Sequence, residues 1–371
     1  MKLTLITQSD VILGSNVQWN VIAQNRPFFR WEWLAGWLAH QVDSVTPAVL
    51  VGSDDQGRWI GIAPFCVECK SLSRKLRFLG SGTVCSDYLG LITHPDHETV
   101  FAEAIADWLT HNIRPGGPLG TIDAIELEGV SRSDQSSQYF QELLIASGFE
   151  SHTVELEGCW ATDLPSSWEE MDRRLSKSLR RKTKKASHRL ADPTTQVLSS
   201  DDDDVAELWY SFVELHQKRR NTLGQSGCFA SPNFAAFLQE ATTKLISAER
   251  AELLIIRTDG KPLAGCLLLN DGTTNFMYQS GFDPDNAALE PGYQIVIAAL
   301  RTSIRKGLTR FDFLRGDEPY KSRWLTERIP LVRTRFIPRN LTSQLKHEIW
   351  KTAHSFRQWC KPTAVPIIDG D

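Results

Sequence analysis

The stretch FDFLRGDEPYKSRW, residues 311–324, decides how the rest of this chain is interpreted. It opens as a strand in which Phe311 and Phe313 share one face and Asp312 faces the other, because side chains alternate along a strand. The strand pattern breaks at Gly316, and acidic, basic and aromatic residues then follow within one turn. Functional side chains are commonly carried by loops at the ends of buried strands. The stretch therefore predicts either a functional site at a strand end or an ordinary strand end followed by a solvated turn.

Composition limits the classes of protein that come into question. A chain of 371 residues suits two domains, since single cores stop growing at about 250–300 residues. The net charge of −4 argues against binding of nucleic acid or anionic membranes through overall charge. No apolar run approaches the ~18 residues of a membrane span, and the N-terminus is a poor secretory signal. Seven scattered cysteines without a framework predict reduced thiols, a cytoplasmic location and no metal site.

The two halves of the chain repeat one pattern. Residues 48–68 and 251–271 each read as strand, turn and strand, with Asp and Gly in the turn, as in hairpins. Each is followed by a strand that ends in Ser-Gly, then by a loop, an amphipathic helix and a further strand. This repeat predicts two similarly built units with a boundary near residues 158–168. We expect a mixed α+β fold divided into residues 1–160, 161–340 and a C-terminal helix and tail at 341–371.

Four stretches resemble a branch of the GNAT acyltransferase superfamily, namely the acetyltransferase domain of cellulose- and polysaccharide-biosynthesis proteins. This branch is related to the Fem-type aminoacyl transferases. The stretches are residues 311–324, 175–190 (LSKSLRRKTKKASHRL), 215–224 (LHQKRRNTLG) and 278–300 (YQSGFDPDNAALEPGYQIVIAAL). The resemblance covers roughly residues 170–338 and implies tandem GNAT-like domains. Each domain would have a mixed, mostly antiparallel sheet flanked by helices.

The acyl donor is expected to bind within residues 278–300, at the loop and at the start of the helix that follows it. Proline is favoured in a first helical turn, and free N–H groups at such a terminus bind phosphate. The resemblance implies that the pyrophosphate of acetyl-CoA lies here, although the usual Gln/Arg-x-x-Gly-x-Gly/Ala loop is absent; simple helix capping is the alternative. The candidate donor-binding residues are Gln279, Ser280, Gly281, Pro291, Gly292 and Tyr293.

A strongly basic helix is predicted at residues 173–189, with nine Lys or Arg residues and no acid. Charge runs of this kind are usually solvated faces. However, like charges on one helix repel one another unless something neutralises them. The alternative is therefore a phosphate-bearing ligand, such as CoA, a nucleotide-sugar or lipid-phosphate acceptor, or tRNA. Arg180 and Arg181 are the candidate substrate-binding residues of this helix.

Three residues are candidates for acid–base chemistry. His216 suits a general base because its ordinary pKa lies near neutrality, and the resemblance places a Leu-His followed by Arg at this point. Asp312 is the carboxylate best placed on the strand, with pairing to an arginine as its structural alternative. Tyr320 could protonate the leaving thiolate.

Further candidates would bind the acceptor or a phosphate of the donor. Arg315 and Lys321 of the signature could bind an acidic group, and Arg219 lies beside His216. Asp87 and Tyr88 in the first half resemble an S-D-Y stretch of the family and would line an acceptor cleft, with a strand-end turn as the alternative.

The resemblance and these residues predict an acyl-CoA-dependent N-acyltransferase with acetyl-CoA as donor. The acceptor would be an amine of a sugar, polysaccharide or peptide precursor. One alternative is a Fem-type transferase that uses aminoacyl-tRNA. The other is a non-catalytic GNAT-like module in exopolysaccharide or envelope assembly.

Overall fold

A computed structural model describes residues 1–41, 45–70 and 73–359. Within this part of the chain, helices flank two mixed β-sheets, so the expected α+β fold is confirmed.

The first half of the chain alternates between strands and helices. Its strands are β1 (Lys2–Ile6), β2 (Val45–Ser53), β3 (Trp59–Lys70), β4 (Ser73–Phe78), β5 (Ile92–Thr93), β6 (Ala124–Ser131) and β7 (Glu150–Glu155). Its helices are α1 (Ser9–Leu13), α2 (Asn16–Ala23), α3 (Trp31–Ala39), α4 (Glu98–Asn112) and α5 (Gln135–Ala146).

The second half continues in the same manner. Its strands are β8 (Cys159–Asp163), β9 (Thr195–Ser199), β10 (Ala251–Thr258), β11 (Lys261–Asn270), β12 (Thr274–Phe282), β13 (Arg310–Arg315), β14 (Glu327–Ile329) and β15 (Leu331–Ile337). Its helices are α6 (Trp168–Arg174), α7 (Lys177–Leu190), α8 (Val205–Thr222), α9 (Pro232–Ser247), α10 (Pro291–Arg305) and α11 (Leu341–Trp359). The tail predicted after α11 lies outside the described residues.

The two sheets do not follow chain order. The first runs β1-β2-β3-β4-β6-β15-β7 with β5 beside β3, and the second runs β14-β8-β13-β12-β11-β10-β9. The late strand β15 thus lies between β6 and β7 of the first sheet, paired antiparallel to both. The division into residues 1–160, 161–340 and 341–371 stays a prediction, and β15 links the two units whichever boundary is chosen.

The parallel strands β12 and β13 part within the second sheet. Their register covers residues 274–276 and 310–312, with Phe276 opposite Asp312 as its last pair. Residues 277–280 of β12 and 313–315 of β13 then line cavities. Parting strands leave main-chain N–H and C=O groups that can bind an extended ligand.

Trp33 of α3 holds the two halves together. Its ring is fully buried and makes edge contacts with Phe237 of α9 and Tyr278 of β12, both at 5.0 Å between ring centroids. Its indole N–H donates to Ser86 Oγ at 2.8 Å. Buried aromatic rings contribute large apolar areas, and a tryptophan also needs a partner for its N–H, which Ser86 supplies. Trp33 is therefore part of the core between the two halves.

Candidate functional site

Asp87 from the first half and Arg315 from β13 form a buried ion pair. The guanidinium donates to Asp87 Oδ1 from Nε at 2.8 Å and from Nη2 at 2.7 Å. The main-chain N–H of Arg315 donates to Oδ2 at 3.1 Å. Burial raises the pKa of the Asp87 carboxyl, and the charge of Arg315 opposes that rise. Buried charges are stable only when paired and hydrogen-bonded, so this pair fixes the junction between the halves.

Tyr88 and Asp312 form a second contact across the same junction. The phenol O–H donates to Asp312 Oδ2 at 2.5 Å, and Leu314 N–H donates to Oδ1 at 2.7 Å. Burial raises the pKa of Asp312 to about 6, because desolvation disfavours the carboxylate. Tyr88 and Leu314 have left-handed backbones, with φ of 60° and 56°. Such strain persists only where surrounding contacts enforce it, and here the two hydrogen bonds to one carboxyl do so.

Lys321 is buried against the end of β13. Its ammonium donates to the carbonyls of Leu314 at 3.1 Å and Arg315 at 3.0 Å, and it lies 2.9 Å from a carboxylate oxygen of Glu318. These carbonyls would otherwise be short of partners at a strand end. Lys321 therefore holds the shape of the signature turn while also lining a cavity.

The largest group of candidate donor-binding residues meets in one cavity of about 450 Å³ at the start of α10. Ser280, Pro291, Gly292 and Tyr293 line it, together with Arg219 and Tyr320. Lys182, Arg323 and Trp324 also line it and were not among the candidates. The expected helix start at Pro291 thus lies beside cationic side chains, which suits a phosphate-bearing ligand.

The cations of this donor cavity are anchored to its aromatic residues. Arg323 Nη1 donates to the hydroxyl of Tyr293 at 3.1 Å, and Lys182 Nζ lies 3.4 Å from the same oxygen. The guanidinium of Arg219 sits 4.6 Å from the ring centroid of Phe282. Because these contacts engage few of the N–H donors of Lys182 and Arg323, these two side chains retain capacity for an anionic ligand.

Gly281 has a packing role. A Cβ at this position would lie 2.4 Å from the main-chain nitrogen of His216, so α8 can approach β12 only where a glycine stands. Gly281 is not among the residues that line the donor cavity.

A smaller cavity of about 200 Å³ adjoins the donor cavity, and both are lined by Met277, Ser280 and Tyr320. The further polar and charged residues that line the smaller one are Cys85, Asp87, Glu157, Arg220, Tyr278, Gln279, Arg315, Glu318 and Lys321. We call this smaller cavity the acceptor cavity, and the candidate Gln279 lines it. Burial raises the pKa of Tyr320, so its phenol is protonated at neutral pH.

His216 is enclosed within the protein. Its side chain is buried beside Gln217, Cys228 and Phe229, with ring centroids 5.0 Å apart for the last. Burial lowers the pKa of the imidazole to about 4, so it is neutral at pH 7. His216 is not among the residues that line the donor and acceptor cavities. Its imidazole contacts Gln279, which lines the acceptor cavity, so a role of His216 as general base stays a prediction.

Helix α7 divides its cations between two flanks. Leu179, Thr183 and Ala186 face the core. Lys182 lies on the flank toward the donor cavity, whereas Arg180 and Arg181 line a separate groove on the other side. Because 3.6 residues complete a turn, neighbouring positions in the sequence point in different directions.

Asp312 lines a third cavity of about 390 Å³ between the halves, away from the donor cavity.

Residues 1–41, 45–70 and 73–359 contain neither a metal-binding cluster nor a membrane-spanning helix. No group of three or more His, Cys, Asp or Glu residues that could hold a metal ion was found there. In the same residues no helix is both long and apolar enough to cross a bilayer.

Comparison with known proteins finds a family model that matches part of the second half of the chain. Residues 173–322 match the model of the acetyltransferase (GNAT) domain family. No curated protein matches the chain in sequence. The part of the second half that resembles a GNAT domain holds most residues of the donor cavity and of the acceptor cavity.

Solved structures resemble the whole chain. A crystal structure of FemX has a TM-score of 0.63 at 13% identity and covers 93% of this chain and 99% of that chain. The C-terminal domain (DUF2156) of a putative lysylphosphatidylglycerol synthetase from Agrobacterium fabrum has a TM-score of 0.55 at 10% identity, covering 92% and 96%. L-PGS from Bacillus licheniformis has a TM-score of 0.52 at 10% identity, covering 88% and 92%. At such identities the likeness shows a shared fold, and function has to be argued from the site.

Proposed function

We propose that the chain is an acyl-CoA-dependent N-acyltransferase with acetyl-CoA as donor. Its acceptor would be an amine of a sugar, polysaccharide or peptide precursor, as in the polysaccharide-biosynthesis branch that the signature resembles. The observation that carries this proposal is the pair of adjoining cavities that share Met277, Ser280 and Tyr320. One cavity suits a phosphate-bearing donor and the other an amine, so an acyl group could pass between them at the shared wall.

The donor cavity has features that fit CoA as a substrate. Lys182, Arg219 and Arg323 supply positive charge at the start of α10, where helix N–H groups also favour anions. Met277, Phe282 and Trp324 supply apolar surface for an extended thiol arm. Where β12 and β13 part, main-chain groups of β12 that no longer pair with β13 could bind the amides of that arm.

The acceptor cavity has features that fit an amine. Glu157 lines it and makes no ion pair within the described residues, and Glu318 lines it while paired with Lys321. Asp87 is taken up by Arg315. Glu157 is therefore the carboxylate in this cavity best able to bind an ammonium group and to accept a proton from it.

The proposed reaction uses the chain's residues for two proton transfers. The amine nitrogen bonds to the carbonyl carbon of the thioester, and the C–S bond breaks. Glu157 takes a proton from the amine nitrogen as the C–N bond forms, and Tyr320 gives its proton to the departing thiolate. Release of the proton from Glu157 and uptake of one by Tyr320 through solvent restore both groups. The products are an amide and free CoA, and the charges balance without any other reactant.

A transferase that takes its acyl group from aminoacyl-tRNA is the second candidate. The observation that favours it is the unpaired basic flank of α7, which could contact a nucleic acid backbone. The net charge of −4 argues against it. Affinity for acetyl-CoA separates the two candidates.

The test is calorimetric and thermal titration of the purified chain with acetyl-CoA, CoA and longer acyl-CoAs. We expect saturable binding and a dose-dependent rise in Tm, since a ligand at about 100 times Kd stabilises the native state by about 2.7 kcal/mol. Mass spectrometry with a panel of amino sugars and peptides should then detect amide products. Absence of binding at millimolar acetyl-CoA would contradict the proposal and favour the tRNA-dependent or non-catalytic alternatives.

A further inference from the structure

A second basic groove lies outside the proposed active site, between α7 and the later turns of α10. Its volume is about 540 Å³, and four cations line it: Arg180, Arg181, Lys184 and Arg301. It shares no lining residue with the donor cavity or the acceptor cavity. The two cavities already described therefore do not account for it.

The cations of this groove lack the neutralising partners found on the opposite flank of α7. There, Lys185 and Arg189 approach Glu290 at 3.3 and 3.1 Å. In the described ranges, Arg180, Arg181 and Lys184 make no salt bridge. The one acid that lines the groove, Asp172, accepts a hydrogen bond from Thr183 Oγ1 at 2.7 Å.

Arg301 gives the groove a recessed charge. Its guanidinium donates to Ser187 Oγ at 2.7 Å and lies 4.8 Å from the ring centroid of Trp168. Burial lowers the pKa of Arg301, while nearby Glu169 and Asp172 act in the opposite direction. A partly desolvated guanidinium binds an anion more strongly than one in open water.

The uncompensated charge indicates the class of ligand. Arg180 and Lys184 are one helical turn apart, so their side chains project on the same flank above Arg301. Arginine donors match phosphate oxygens in geometry, and several cations around one groove suit a ligand with more than one negative charge. A lone carboxylate would leave most of this charge unneutralised.

We propose that this groove is a second anion site that binds a phosphate-bearing ligand, separate from the donor cavity. The proposal goes beyond the acyltransferase function and does not rest on it. The phosphate could belong to a soluble compound or to a lipid headgroup, because the groove chemistry is the same for both.

The experiment is calorimetric titration of the full chain with inorganic pyrophosphate at low ionic strength. We expect saturable binding that weakens at least about tenfold in the double variant Arg180→Ala/Lys184→Ala, because charge-assisted hydrogen bonds are lost. Lys177→Ala is the matched control, since it removes an exposed cation of the same helix that lines neither this groove nor the donor cavity. Arg180 and Lys184 both lie on the surface of α7, so the double variant should fold, and an unchanged Tm will verify this.

Several results would overturn the proposal. They are absence of saturable binding, an equal loss in Lys177→Ala, or complete displacement of pyrophosphate by acetyl-CoA, which would place all of it in the donor cavity. Binding of an RNA hairpin through Arg180 and Lys184 without binding of pyrophosphate would also overturn it. If pyrophosphate binds as expected, vesicles containing phosphatidic acid distinguish the sources: binding that depends on Arg180 and Lys184 indicates a lipid headgroup, and no binding indicates a soluble phosphate.

Discussion

Asp87 and Arg315 stand 228 positions apart in the chain and form a buried, three-contact ion pair where the two halves meet. Arg315 also lies 3.6 Å from Glu128 of β6. Beside this pair, Tyr88 binds Asp312, the residue three positions before Arg315. Two successive residues of the first half are thus bonded to one short strand of the second. The acceptor cavity borders this junction, so its shape depends on both halves.

Replacing Asp87 by Ala should strongly destabilise the protein. The change removes the close partner of buried Arg315 and leaves it only the 3.6 Å contact with Glu128, and breaking a buried pair typically costs about 3–5 kcal/mol. Urea denaturation of the variant measures the loss. Asp163→Ala serves as control, because its pair with Arg310 is largely exposed and should change stability by less than about 1 kcal/mol. Equal losses in both variants would contradict the buried-pair account.

Asp312 should make stability fall as pH rises from about 4 to about 6. Its folded-state pKa of about 6 exceeds the ordinary value of 3.8, so the folded protein holds a proton that the unfolded chain releases in this window. The group contributes up to about 3 kcal/mol at low pH that is lost across the window. Asp312→Asn should flatten this slope in denaturation curves measured against pH. Asp87, whose pKa is also raised, should keep a slope of the same sign.

Tyr320→Phe should lower kcat without weakening the binding of acetyl-CoA. Loss of a positioned general acid reduces the rate by about 10²–10⁴-fold, whereas the phenyl ring still fills the shared wall. Activity assays measure kcat and calorimetry measures Kd, so the two effects can be separated. Tyr139→Phe, at a hydroxyl that contacts Glu103 far from the cavities, should leave kcat unchanged. A parallel loss of affinity in Tyr320→Phe would show that the hydroxyl binds the donor instead.

Lys182→Ala and Arg323→Ala should each weaken acetyl-CoA binding by about tenfold, as expected for loss of one charge-assisted contact. Affinity should also fall with rising salt, and less steeply in the variants. Calorimetry at two ionic strengths measures both effects. Lys184→Ala, on the opposite flank of α7, is the control and should bind acetyl-CoA as the unchanged protein does. If all three variants weaken binding alike, general charge rather than the donor cavity is responsible.

Gly281→Ala should destabilise the fold, because its Cβ would lie 2.4 Å from the backbone of α8. Overpacking against backbone typically costs about 1–3 kcal/mol. Gly292→Ala is a matched comparison near the start of α10, where the nearest atom to an added Cβ lies at 3.8 Å. It should be tolerated in thermal denaturation. An equally stable Gly281→Ala variant would mean that α8 can shift away from β12.

Local patterns predicted the elements that form the donor cavity. The α+β class, the strand at 310–315, the helix that begins at Pro291 and the basic helix α7 all follow from alternation, proline preference and helical spacing. These are short-range effects, so one sequence suffices to recognise them. Ser280, Pro291, Gly292 and Tyr293 came together because one strand, loop and helix carry all four.

Long-range contacts could not be recognised in this way. Which flank of α7 faces the donor cavity depends on how the helix rests on α10, and so Lys182 was missed while Arg180 and Arg181 were chosen. His216 was a candidate general base, but the sequence did not show its burial, which depends on Cys228 and Phe229 from a later loop.

The sequence alone determined the types of element, their order and the residues able to bind phosphate or transfer protons, because these depend on neighbouring positions and intrinsic chemistry. Only the tertiary structure decided which of them meet. It bonded Asp87 to Arg315 and Tyr88 to Asp312, inserted β15 into the first sheet and turned the two flanks of α7 toward different grooves. The physical reason is that burial and pairing energies are set by groups distant in the chain, which shift both the position and the pKa of a side chain.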